Sequence, residues 1–80
     1  MFFNIGFGNF VNCDKIIAIV SPDSSPMRRV IAEARKNGTL IDASQGRKTR
    51  AVIMMENNDV VLSAVIPETI IARNLKGDKQ

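Results

Sequence analysis

The sequence predicts one small α/β domain of the α+β kind, with elements in the order ββαβββα and a mainly antiparallel sheet. Three observations predict it. Short runs rich in β-branched residues, "IIAIVS", "AVIMM" and "VVLSAV", recur between turn-forming residues. Met27, Val30, Ile31 and Ala34 fall at i, i+3, i+4 and i+7, the stripe of an amphipathic helix. "ENND" separates two of the apolar runs with Asn, which tolerates the positive φ of tight hairpins.

Each element has its own local reason. In "FFNIGF" the residues Phe3, Ile5 and Phe7 alternate onto one side of a first strand, and Gly6 and Gly8 suit a bulge or a close backbone approach. "NCDK" reads as a turn before the second strand, "IIAIVS". "PDSSP" is the strongest punctuation in the chain, with Ser25 as helix cap and Pro26 as first helical residue. The helix then runs from Pro26 to Asn37. Arg35 and Lys36 in its last turn suit the negative end of the helix dipole, and Gly38 suits the C-terminal cap. "TLIDA" is a short third strand, "SQGRK" a loop, "TRAVIMM" the fourth strand, and "VVLSAV" its antiparallel return. "PETIIARNL" is a second helix opening on Pro67, with Ile71 and Leu75 one turn apart. "KGDKQ", residues 76–80, reads as a flexible tail. These spacings predict that Ile17, Ile19, Val30, Ile31, Ala34, Ile41, Val52 and Leu62 are largely buried.

Eighty residues, 45% of them hydrophobic, make a single domain spanning 1–80 with a modest core, for which oligomerisation is a common remedy. Met54 and Met55 adjoin in one strand, so one of them turns to the less buried side, where a subunit contact fits. A lone Cys13 cannot make an internal disulfide, and the chain has no His. The apolar start "MFFNIGFG" lacks the basic opening and cleavage site of a signal peptide. No run reaches membrane-spanning length. The expectation is a cytoplasmic protein with no membrane partner.

Catalytic chemistry finds little material. The commonest general base, His, is missing, and no paired acids or activated thiol stand out, so the reading is of a protein that is not an enzyme. "NIGFGN" has two glycines where a dinucleotide loop needs three, and no Walker lysine. Neither a small-molecule cofactor nor a metal is expected. Charge is the more informative property. The net charge is +3, but Pro26 to Arg50 holds seven cations against Glu33 and Asp42, while the rest holds four against six acids. That asymmetry points to an anionic partner, nucleic acid first.

The stretches "NIGFGN", "IVSPDSSPMRR", "ARKNGTLIDASQGRKTRAV" and "LSAVIPETI" are similar, in content and order, to the RemA family of small bacterial regulators of extracellular-matrix genes. The resemblance covers Asn4 to about Leu75. It implies a compact DNA-binding domain that assembles into a closed homo-oligomeric ring. It implies a nucleoid-associated activator of biofilm-matrix operons that wraps or bends double-stranded DNA upstream of promoters. It also implies basic contacts to DNA. One falls at Lys15, just after the first glycine-containing strand. Two fall at Arg47 and Lys48 in "GRKTR", matching the family's "GRRTR", and Arg50 is the last cation of that motif. Lys replaces the usual Arg at two of these positions, which keeps the charge but loses the planar two-bond fork.

The physics of the motif agrees with this reading. Arg47 and Lys48 suit phosphate neutralisation, and the Thr49 hydroxyl suits a phosphate hydrogen bond. Arg28 and Arg29 sit near a helix N-terminus, where they oppose the dipole unless an anion or a neighbouring subunit's acid compensates. An oligomeric scaffold whose basic patch binds an acidic protein is the competing reading. RNA is a weaker third, because four Phe with no Tyr or Trp give little stacking surface, and the "FF" and "GF" positions read as core.

Overall fold

The computed structural model describes residues 1–77. Its elements are β1 (Phe2–Asn4), β2 (Phe10–Asn12), a 3₁₀ turn (Cys13–Lys15), β3 (Ile16–Val20), α1 (Ser25–Asn37), β4 (Leu40–Asp42), β5 (Ala51–Met55), β6 (Val60–Ser63) and α2 (Pro67–Gly77). The domain is α+β, as the sequence predicts. The tail expected at 76–80 lies, from residue 78 on, outside the described residues.

One strand more than expected precedes α1. The Gly6–Asn9 segment is a full reversal and not a bulge. Asn9 N donates to Gly6 O at 3.0 Å, Ile5 N donates to Asn9 O at 2.9 Å, and φ is positive at both central residues, Phe7 (55°) and Gly8 (77°). Positive φ at both central residues is the mark of a type I′ turn, here set in a three-residue connection, Gly6 to Gly8, because the strand register centres on Phe7. β1 and β2 therefore pair antiparallel as a separate two-stranded sheet, with Phe3 opposite Val11.

The main sheet has the order β3-β5-β6-β4. The β3–β5 and β5–β6 pairs are antiparallel, and β4 joins β6 in parallel. Side chains alternate between two covered faces. Ala51, Ile53 and Val61 meet Phe3, Ile5 and Ile70, so the hairpin and α2 cover one face. Val52, Val60 and Leu62 meet Ala34, with Met27, Val30 and Ile31 of α1 packed alongside.

The N-terminal cap of α1 shifts by one residue from expectation, while Gly38 caps the C-terminus as expected. Ser24, not Ser25, is the cap: its β-region backbone stops the helix and its hydroxyl accepts from Met27 N at 3.3 Å. Ser25 and Pro26 then occupy the first turn, where a missing N–H costs nothing. At the other end Gly38 adopts φ 77° and Thr39 N donates to Ala34 O at 2.9 Å, closing the helix. β5 begins at Ala51, so Thr49 and Arg50 remain in the loop.

Of the expected core, Ala34, Val52 and Leu62 are buried, while Ile19, Val30 and Ile31 are half-buried. Ile17 and Ile41 are not core: they are 65% and 50% exposed. Both lie on the outermost strands, β3 and β4, where no neighbouring strand shields the outer side. At Ile17 the β3–β5 register also slips, between Ile16 and Ala18. α2 likewise buries Ile70 and turns Asn74 inward, leaving Ile71 and Leu75 exposed.

Candidate nucleic-acid interface

Three separated segments meet at the end of the sheet where β5 begins. The first is the Ala43–Arg50 loop. Both its ends are fastened to β6: Ala43 N donates to Leu62 O at 2.9 Å, and Arg50 N donates to Ser63 O at 2.8 Å. Inside it, Ser44 to Arg47 forms a second type I′ turn. Arg47 N donates to Ser44 O at 3.0 Å across Gln45 (φ 56°) and Gly46 (φ 76°). Gly46 thus has a local reason, since this turn position strongly favours glycine. Asp42 holds the turn from behind. Its carboxylate accepts from both the backbone N–H (2.9 Å) and the hydroxyl of Ser44. Those bonds, from the Ser44 hydroxyl first, hold the Asp42 carboxyl below its ordinary pKa, and Arg35 nearby adds in the same direction.

The second segment is the β1–β2 turn carrying Phe7. Gly6 presses against β6's continuation: a Cβ there would lie 2.9 Å from Val65 Cγ2. The third is α2, which contributes Arg73. Together Arg47, Lys48, Arg50 and Arg73 line one open recess of about 410 Å³, with Gly6, Phe7, Ala64 and Val65 as its uncharged wall. The Arg47 guanidinium carbon lies 6.0 Å from the centre of the Phe7 ring. Among the described residues none of the four cations has a carboxylate within 4.0 Å. Lys48 and Arg50 also line a smaller hollow of about 170 Å³ together with Asp23 and Glu68, whereas no acid lines the recess that carries Phe7.

The structure thus gathers Arg47, Lys48 and Arg50 on one surface and adds two residues, Arg73 and Phe7, that lie outside the motif. Arg73 lies on a helix 23 positions beyond Arg50, inside the part of the chain with excess acid, so no local pattern marks it. Phe7 reads from its alternation as core, yet it is 53% exposed. Lys15 is placed elsewhere. It sits in the 3₁₀ turn beside the β5–β6 connection, where Glu56 N donates to Lys15 O at 2.8 Å and the Lys15 ammonium lies 3.8 Å from the Glu56 carboxylate. From Arg50 to Glu56 the chain runs the length of β5, roughly 20 Å. Within one chain, then, Lys15 belongs to the opposite end. Arg28 is turned back onto its own helix cap, donating at 3.3 Å to both Asp23 O and Ser25 Oγ.

Such a surface can bind a polyanion through several charge-assisted contacts. Among the described residues no group of three or more His, Cys, Asp or Glu is placed to hold a metal ion. No helix among them is long and apolar enough to cross a membrane.

A family model described as RemA-like, extracellular matrix regulatory protein A-like, matches residues 2–73, which include the whole recess. This chain belongs to the RemA-like family. Its curated relatives bear the same general description. A "Putative regulatory protein" of Carboxydothermus hydrogenoformans is 60% identical over 72 residues, covering 90% of this chain and 83% of that one. One of the same description from Symbiobacterium thermophilum is 60% identical over 70 residues, covering 88% and 74%. One from Cyanothece is 58% identical over 72 residues, covering 90% and 79%. The family and these names describe regulatory proteins and no enzyme.

Proposed function

We propose that this RemA-like chain is a homo-oligomeric DNA-binding regulator of transcription, activating extracellular-matrix genes by bending or wrapping upstream promoter DNA. The observation that carries the reading is the recess itself. Arg47, Lys48, Arg50 and Arg73 arrive from two separate elements onto one surface and find no carboxylate there among the described residues. Gathering like charges costs energy that an anionic partner recovers. Duplex DNA supplies phosphates at a spacing that several such cations can follow, releasing counterions on binding.

One protomer offers few contacts, so useful affinity requires repetition of the patch. The apolar surface supports assembly. Ile17 and Ile41 lie exposed on the two outer strands of the sheet, and Phe2, Phe10, Ile71 and Leu75 are exposed as well. Outer strands at opposite edges favour head-to-tail contacts, which close into rings when the rotation allows. Assembly also gives Lys15 a role, since one copy's Lys15 end and another's Arg47–Arg50 end can then lie along one DNA path.

The test is binding of the full chain to a promoter-length duplex across a salt series, against an acidic polypeptide of matched charge, with light scattering for mass. Tight, steeply salt-dependent duplex binding by a particle several times the chain mass is the expected result. Preference for the acidic polypeptide would replace this reading with that of a scaffold. A monomer at micromolar concentration would remove the ring.

A further inference from the structure

Phe7 occupies a position that neither backbone nor burial favours. Its φ of 55° lies in the left-handed region, between Gly6 at 99° and Gly8 at 77°. That region is sterically unfavourable for a bulky side chain, and the first central position of a type I′ turn prefers Asn, Asp or Gly. Burial does not repay the strain, because the ring is 53% exposed. Backbone strain and exposed aromatic surface, held together at one loop tip, mark a functional contact.

The surroundings indicate what is contacted. The ring stands beside the Arg47 guanidinium and on the wall of the recess that Lys48, Arg50 and Arg73 also line. An apolar tip bordered by uncompensated cations fits a ligand that is anionic at its edges and apolar between them. Duplex DNA has that character: phosphates flank stacked bases. The loop is also rigid before binding. Asn9 returns two hydrogen bonds to Gly6 O, from its backbone N at 3.0 Å and its side-chain amide at 3.1 Å, and Gly6 N donates to Asn4 Oδ1 at 2.9 Å.

We propose that Phe7 is an aromatic wedge that enters the DNA minor groove and partly unstacks one base step, bending the duplex while the neighbouring cations hold the flanking phosphates. This rests on the DNA-binding reading and deepens it, because it assigns the bend to a residue. A wedge carries no charge, so its contribution is independent of salt, unlike that of Arg47.

Phe7→Asn is the informative substitution, since Asn accepts the left-handed backbone. The full-length variant, wild type and Arg47→Ala are compared on a duplex carrying 2-aminopurine at successive steps and fluorophores at both ends. For Phe7→Asn we expect roughly tenfold weaker binding with the wild-type salt slope. We also expect loss of the bend and of the 2-aminopurine signal, and a thermal midpoint no lower than wild type. Phe7→Leu should keep part of the bend. Wild-type affinity and bending in Phe7→Asn, while Arg47→Ala is impaired, overturns the wedge and leaves DNA binding standing. A reduced salt slope in Phe7→Asn overturns it too, because the ring then serves only to position Arg47. Failure of the wild-type protein to bind duplex removes both proposals.

Discussion

The two ends of the four-stranded sheet carry the same type of side chain in different company. Where β5 begins, four cations share a recess with no carboxylate within 4.0 Å among the described residues. Where β5 finishes, Lys15 faces Glu56 at 3.8 Å, with Asp14, Asn57 and Asp59 in the same neighbourhood. Counting cations along the chain treats these ends alike. What differs is whether an acid comes close enough to pair, and that is decided by which loops the topology brings together.

The largest expected effect breaks the comparison outright. Replacing Arg47 and Lys48 together with Ala should lower duplex affinity more than tenfold at fixed salt. Anisotropy titrations should show the log–log salt slope falling by about two for each engaged protomer. Circular dichroism and particle mass should be unchanged, because both side chains are exposed. An unaltered salt slope would mean that the recess is not the phosphate-binding end.

Next in size is a change to the scaffold beneath the basic end. Ser63 is fully buried; its hydroxyl donates to Ile5 O at 2.8 Å and accepts from Val65 N at 3.0 Å. That one oxygen ties the hairpin to the strand on which the Arg50 loop is anchored. Ser63→Ala should cost about 1–3 kcal/mol in urea unfolding, the penalty of leaving buried partners unsatisfied. A Ser63→Ala chain as stable as wild type would show that the hairpin is held by apolar packing alone.

Smaller effects sharpen the contrast from the opposite end. Lys15→Ala should weaken duplex binding, and Glu56→Gln should strengthen it by freeing the same ammonium. Each change should be under about fivefold, since exposed ion pairs contribute little. If both leave binding untouched, Lys15 lies off the DNA path. The smallest effect concerns Asp42. Its folded pKa is lowered, so its bonds to Ser44 stabilise the fold above the unfolded value. That contribution is lost as pH falls through the lower, folded value. Urea midpoints of wild type should therefore drop more than those of Asp42→Asn on acidification below about pH 4.

Local chemistry made much of this fold legible. The α1 stripe, the Gly38 cap and the positive φ of Asn58 in "ENND" all follow from residue types at fixed offsets. Most of the misses depend on partners outside the local stretch of sequence. "GFGN" is compatible with a bulge or a reversal, and only the pairing of Phe2–Asn4 with Phe10–Asn12 decides. Ile17 and Ile41 have the alternation of core residues, but strand order puts them at edges. The "GRKTR" cations were visible as a motif, whereas Arg73 and Phe7 join them only through the packing of α2 and the hairpin on one sheet face.

The pair formed by Asn4 and Asn74 has a consequence in time. Asn4 N donates to Asn74 Oδ1 at 2.7 Å, and Asn74 Nδ2 donates back to Asn4 O at 3.0 Å, across 70 positions of sequence. At a synthesis rate of about 5–20 residues per second, roughly 4–14 s separate the two asparagines on a ribosome. Through most of that interval the nascent hairpin has neither β6 nor α2 to settle on. The recess, built from the Phe7 turn, the Arg47–Arg50 loop and Arg73, therefore matures last. A chain synthesised only as far as β6 displays Arg47, Lys48 and Arg50 without the geometry of the recess.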